Sequence, residues 1–133
     1  MNQTSITNSQ GIITPIDNAN DMENSLRLME NQSPQIALMD IPGLGTLTFG
    51  VSKDLGFIEF MAENQEPPYL YANNSLINFN GEFVEFDSRG TSTPIPKNHC
   101  IPFDLVRKIL VDSFLTGQLP NYIKKYYHNE TFY

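Results

Sequence analysis

Apolar and polar positions change rhythm several times along the chain, and each rhythm predicts an element. Residues 1 to about 10, MNQTSITNSQ, hold one Ile among Asn, Gln, Ser and Thr and read as a flexible N-terminal tail. GIITPI is a short apolar run, placed at a sheet edge because Pro15 withholds a ladder donor. In DNANDMENSLRLMEN, Met22, Leu26 and Met29 recur at helical spacing, and Asp17 or Asn18 can cap the start. Asp21 and Glu23 fall in the early turns, where the helix dipole favours acids. NQSPQ ends this first helix.

The middle of the chain switches to period two. IALMDI predicts a strand closed by the turn PGLG. TLTFGV alternates Leu47, Phe49 and Val51 against Thr46, Thr48 and Gly50. After the turn SKDLG, FIEFMAE sets Ile58, Phe60 and Ala62 on one face and Phe57, Glu59, Met61 and Glu63 on the other. YLYA is a short strand in which Tyr69 and Tyr71 flank an inward Leu70, and NNSLINFNG is a polar connection. EFVEFD sets Val84 and Phe86 against Phe83, Glu85 and Asp87, and SRGTSTPIP turns into a Pro-bounded segment.

Period 3.6 returns in IPFDLVRKILVDSFLTG. Pro102 suits a helix start, and Phe103, Val106, Leu110 and Phe114 form an apolar stripe with Ile109 and Ser113 beside it. Gly117 can close the helix in the left-handed conformation, and Pro120 prevents its continuation. NYIKKYY then reads as a last strand. Helix, hairpin-linked strands, helix and strand predict a single α+β domain over residues 11–133. Its sheet is mostly antiparallel, of about five or six strands, with two helices packed on one face. The other face is left open, as antiparallel sheets tolerate.

Composition narrows the function classes. With 133 residues the chain can bury one modest core, and 40% apolar content is too high for a disordered acidic protein. No apolar run approaches the roughly 20 residues that span a bilayer. Fifteen acidic against 8 basic residues give a net charge of −7, which argues against nucleic acid or an anionic membrane as partner. The same charge permits steering toward a basic partner, and plain solubility also produces it. The single Cys100 excludes an internal disulfide, and the polar N-terminus has no basic start or apolar signal core. Both lead to an expected cytoplasmic location.

Candidate chemistry is sparse. His99 and Cys100 are adjacent in an extended segment and point opposite ways, which suits a loop residue and a small buried hydrophobe better than a nucleophile and its base. His128 has no second His or Cys at metal spacing. GLGTLTFG lacks a phosphate-loop Lys and opens a strand. Glu85 and Asp87 line one strand face as solvated carboxylates do. No catalytic residue, metal site or cofactor is expected.

The feature with functional content is the open face. By strand parity it gathers Phe57, Glu59, Met61 and Glu63 with Phe83, Glu85 and Asp87, joined by Tyr69 and Tyr71. Aromatic and Met anchors among acids mark protein interfaces, while the N-terminal tail or the 73–80 connection could also cover part of this side.

The ordered set GLGTLTFGVSKDLGFIEFM, PPYLYANN and FVEFDSRGTSTPIPKNHCIPFDLVRKILVDSFLTGQLPNYI resembles the first numbered immunity-protein family of bacterial polymorphic toxin systems, over roughly residues 40 to 125. The carrying residues are the Gly-bounded LT.G strand and the closing helix with Pro102, Phe114, Leu115, Thr116, Gly117 and Pro120. Members often carry a Trp soon after the closing Pro. This chain has none, and Lys125 or Tyr126 stands there.

The resemblance implies a small α+β inhibitor, not an enzyme, that binds and neutralises a cognate toxin domain. Toxins beside such proteins include deaminases and nucleases, whose substrate clefts are basic. The expected state is a monomer or weak homodimer. The rival classes are a small ligand-binding domain or enzyme with a pocket between sheet and helices, and a structural subunit that dimerises through the open face.

Overall fold

The computed structural model describes residues 3–32, 34–52, 54–64, 69–73, 81–120 and 128–132, with the side chains of 69–73 and 128–132 outside that description. The chain opens with β1 (Ser5–Thr7) and β2 (Ile13–Pro15), followed by helix α1 (Ala19–Asn31). The meander β3 (Gln35–Ile41), β4 (Gly45–Val51), β5 (Leu55–Gly56), β6 (Ile58–Ala62) and β7 (Tyr69–Asn73) comes next. A hairpin β8 (Phe83–Ser88) and β9 (Thr91–Pro96) leads through a single 3-10 turn, Lys97–His99, to β10 (Ile101–Pro102). Helix α2 (Phe103–Thr116) and β11 (His128–Phe132) complete the fold.

The main sheet runs β11-β7-β6-β4-β3-β1-β2, with β8 joining β3 and β9 joining β8. Pairings are antiparallel except for one parallel bridge, Gln35 with Asp87, where β8 takes the edge of β3 beyond the end of β1. This is the expected α+β class with a mostly antiparallel sheet and two helices on one face. Among the described residues nine strands form the main sheet and β5 with β10 a small second one, more than sequence periodicity predicts.

The expected loose tail contains β1. Ile6 is 2% exposed, and Ser5–Thr7 pairs with both β2 and β3. A three-residue strand has too little apolar content to be read alone, and it becomes one because it lies on the free backbone of β3. The predicted strand NYIKKYY and the Lys125 and Tyr126 positions lie outside the described residues, and the strand that is described there begins at His128. The connection at 74–80 also lies outside them.

The core sits between the sheet and the helices. Ala37, Met39 and Ile41 of β3 and Leu47, Phe49 and Val51 of β4 face Met22, Leu26 and Met29 of α1 and Val106, Ile109 and Leu110 of α2. In each strand these are alternate residues, and in each helix they recur at three- and four-residue spacing, so both periods converge on one buried layer. The Asp21 N–H donates to Asn18 Oδ1 at 2.8 Å, which makes Asn18 the cap of α1. Arg107 of α2 ties the two helices, reaching Glu23 at 3.3 Å and also Glu30, with its guanidinium 5.4 Å from the Phe103 ring centre.

The FLTGQLP stretch ends α2 by specific bonds. Gly117 has φ 71° and ψ 16°, and its N–H donates to the Ser113 carbonyl at 2.8 Å. The Thr116 hydroxyl donates to the Asp112 carbonyl at 2.8 Å and accepts from the Gln118 N–H at 3.2 Å. Helix-end groups are thereby satisfied within four residues.

Candidate functional site

Four strands, β1, β3, β4 and β6, carry the second face of the sheet where side chains are described. Register aligns Ser5, Asp40, Thr46 and Met61 in one row and Thr7, Leu38, Thr48 and Glu59 in the next. Backbone pairing extends the second row to Tyr71 of β7 and Glu130 of β11. A third row, Ile36 and Gly50, lies under aromatic cover.

That cover corrects the position of Phe57. Its parity is as expected, opposite Ile58, but its side chain is 3% exposed. Phe57 and Phe86 meet edge to face with ring centres 5.1 Å apart and pack with Cys100, Ile36, Leu55, Val84 and Ile95. A Cβ on Gly50 would stand 2.5 Å from the Phe57 ring and 2.8 Å from the Phe86 ring, so the strand needs glycine where the rings lie on it. The β8–β9 hairpin curls over this end of the second face and buries it.

The same packing separates the nine sequence-predicted residues. Glu59, Met61 and Glu63 lie on the uncovered part of the sheet, and Tyr71 pairs with Glu59 in register beside Tyr69. Because Phe86 points into the cluster under the hairpin, Phe83, Glu85 and Asp87 point away from it on the hairpin's outer side. Phe83 is 50% exposed there, and Glu85 accepts a bond from the Ser92 hydroxyl. Among the seven predicted residues whose side chains are described, one face thus becomes two surfaces and one core residue.

Sequence reasoning passed over Leu38, Asp40 and Thr46 of β3 and β4, which share the open face. The Thr46 hydroxyl donates to Asp40 Oδ1 at 2.6 Å, and the Gly43 N–H donates to Glu63 Oε2 at 2.7 Å. Gln3, Ser5, Asp40, Thr46, Met61 and Glu63 border an open hollow of about 400 Å³ at this end of the sheet. Alternation in IALMDI was the available signal, since it places Leu38 and Asp40 opposite Ala37, Met39 and Ile41. Desolvation raises the pKa of the Glu59 carboxyl from its ordinary value, although the side chain reaches solvent. Surface accessibility decides that Glu59 can be touched, and the raised pKa reflects how much protein surrounds the group.

The described basic residues lie elsewhere. Arg27, Arg107 and Lys108 are on the helices, and Arg89 and Lys97 flank β9. Lys97 pairs with Glu82 at 3.3 Å. A smaller hollow of about 220 Å³ between α1 and β1–β2 is lined by Ile6, Ile12, Leu28 and Met29 with uncharged polar neighbours. It holds no titratable side chain for acid–base work. The Cys100 thiol is buried, and burial pushes its pKa up to about 11, against a smaller opposing pull from Lys97. Burial also lowers the pKa of His99. Among the described residues no three His, Cys, Asp or Glu side chains gather as metal ligands. Among the described residues no helix is long and apolar enough to cross a membrane.

A mostly antiparallel sheet with one face covered by two helices and the other partly covered by the β8–β9 hairpin places the molecule among small single-domain α+β proteins. The family model described as Immunity protein Imm1 matches residues 10–124, and the chain belongs to this immunity-protein family. No curated protein matches the sequence at a significant level. A crystal structure of a hypothetical protein from Neisseria gonorrhoeae is similar at a TM-score of 0.50 and 15% identity, covering 91% of this chain and 94% of that one. At that identity the likeness concerns the fold.

Proposed function

We propose that this immunity protein binds a cognate toxin domain of a polymorphic toxin system and neutralises it stoichiometrically, in the cytoplasm of the producing cell. The toxin is a nucleic-acid-directed enzyme such as a deaminase or nuclease. Family membership supplies the role, and one observation carries the choice of target. The uncovered sheet face presents Asp40, Glu59 and Glu63 with no Lys or Arg among the described residues of that face. An enzyme that acts on nucleic acid needs a cluster of Lys and Arg to hold phosphates. An acidic surface can occupy such a cluster, with charge raising the association rate and buried apolar groups supplying affinity. Inhibition by occupation needs no catalytic group in the inhibitor.

Co-expression with the open reading frame directly upstream in its own genome tests this reading. The neighbour alone should arrest growth of a host, the pair should be tolerated, and the two should co-purify at a fixed ratio. A harmless neighbour that does not co-purify would remove the toxin-binding reading.

A further inference from the structure

We infer that the toxin docks on the exposed face of β3, β4 and β6, centred on Leu38, Thr48 and Met61 and bordered by Asp40, Glu59 and Glu63, and not on the outer side of the β8–β9 hairpin. This rests on the toxin-binding reading above and divides the surface that sequence treats as one. Its occupant is a Lys- and Arg-bearing surface of the toxin domain.

Charge separates the two surfaces. The sheet face has three carboxylates and no described cation, whereas on the hairpin Lys97, paired to Glu82, and Arg89 at the turn offset part of the charge of Glu82, Glu85 and Asp87. A basic partner gains more from the surface without cations than from the one whose cations partly offset its acids. Asp40 and Glu63 are held by the Thr46 hydroxyl and the Gly43 N–H, so their carboxylates are fixed before a partner arrives. Glu59 has no ion pair among the described residues, and its raised pKa shows that its charge is poorly solvated. A partner cation at that position improves it.

Shape agrees. Leu38 is 36% exposed and Met61 half-buried, on strands held in register along most of their length, which gives a rigid apolar centre within a polar border. Strand addition is a poor alternative at two edges. Pro15 lies in β2, and Pro94 and Pro96 lie in β9, each without an N–H to offer a new strand.

The test measures binding kinetics between the full chain and the purified product of the upstream reading frame, using surface variants that keep the wild-type thermal midpoint. Thr48→Arg should weaken Kd about 100-fold through steric and charge clash in the centre. Glu59→Lys should slow association about 10-fold. Phe83→Ala and Glu85→Lys should stay within about 2-fold of wild type. Hydrogen exchange of the wild-type complex should show slowed exchange in β3, β4 and β6 with β8 and β9 unchanged, a readout that needs no variant. If the hairpin variants lose binding and Thr48→Arg does not, the docking face is overturned while the immunity reading stands. If the wild-type chain does not bind the neighbour at all, both fall together.

Discussion

Gly50 shows how one residue joins the two layers of this molecule. Its missing side chain is the floor on which Phe57 and Phe86 rest, so Gly50→Ala forces both rings to move and should cost about 1–3 kcal/mol by urea unfolding. Ser113 predicts the opposite sign. Its hydroxyl is fully buried without a hydrogen-bond partner among the described residues, so Ser113→Ala removes a group unsatisfied there at nearly constant volume. The urea midpoint of that variant should stay level or rise, and a clear fall would reveal a partner for the hydroxyl. Cys100 sets a pH dependence. The folded thiol titrates near 11 against an ordinary value of 9.0, so the unfolded chain releases this proton first. Its contribution to stability is complete below pH 9, shrinks as pH rises, and is lost through about 11. Comparing urea midpoints of wild type and Cys100→Ala across that window should show the steeper decline in wild type.

Elements are held by features at their ends and by single anchors. Gly117 at φ 71° lets α2 stop and turn, and Gly117→Ala should cost about 1 kcal/mol because a Cβ is strained there. The β8–β9 hairpin meets β3 and the N-terminal segment through the Gln35–Asp87 bridge, the Asp87 N–H to Pro34 and Arg89 N–H to Ser9 carbonyl bonds, and the cluster centred on Phe86. Phe86→Ala should cost about 3 kcal/mol or more and should raise hydrogen exchange in β8 and β9 before it does so in β3 and β4. Uniform destabilisation across all strands would show instead that hairpin and sheet unfold as one unit. The buried Gln35 links three segments, accepting from the Ser9 N–H at 3.1 Å and donating to the Met29 carbonyl at 3.4 Å. It ties the N-terminal segment and the end of α1 to the first residue of β3.

At the scale of the molecule, the net charge of −7 and the sidedness of the sheet have kinetic consequences. Attraction between this acidic face and a basic toxin is screened by salt, so the association rate should fall several-fold between low and high ionic strength. Neutralising Asp40, Glu59 and Glu63 together, as Asn and Gln, should flatten that salt dependence while dissociation changes less. Stopped-flow association over a salt series makes the comparison.

Much of the fold was determined by the sequence itself, because its signals are local. Met22, Leu26 and Met29 define a helical face whatever surrounds them, and Leu47, Phe49 and Val51 define a strand face in the same way. The Gly117 stop and the parity of Phe86 against Glu85 are equally local. Tertiary structure alone decided whether Phe57 would be an exposed anchor or a core residue, since its burial depends on a hairpin about 30 residues away curling over Gly50. It also decided that Ser5–Thr7 is a strand, for those residues gain their state from the backbone of β3. The division of the acidic residues between a sheet face without described cations and a hairpin whose cations partly offset them belongs to the same class. Periodicity records which side of a strand a residue takes, and only the packing of distant segments determines what covers that side.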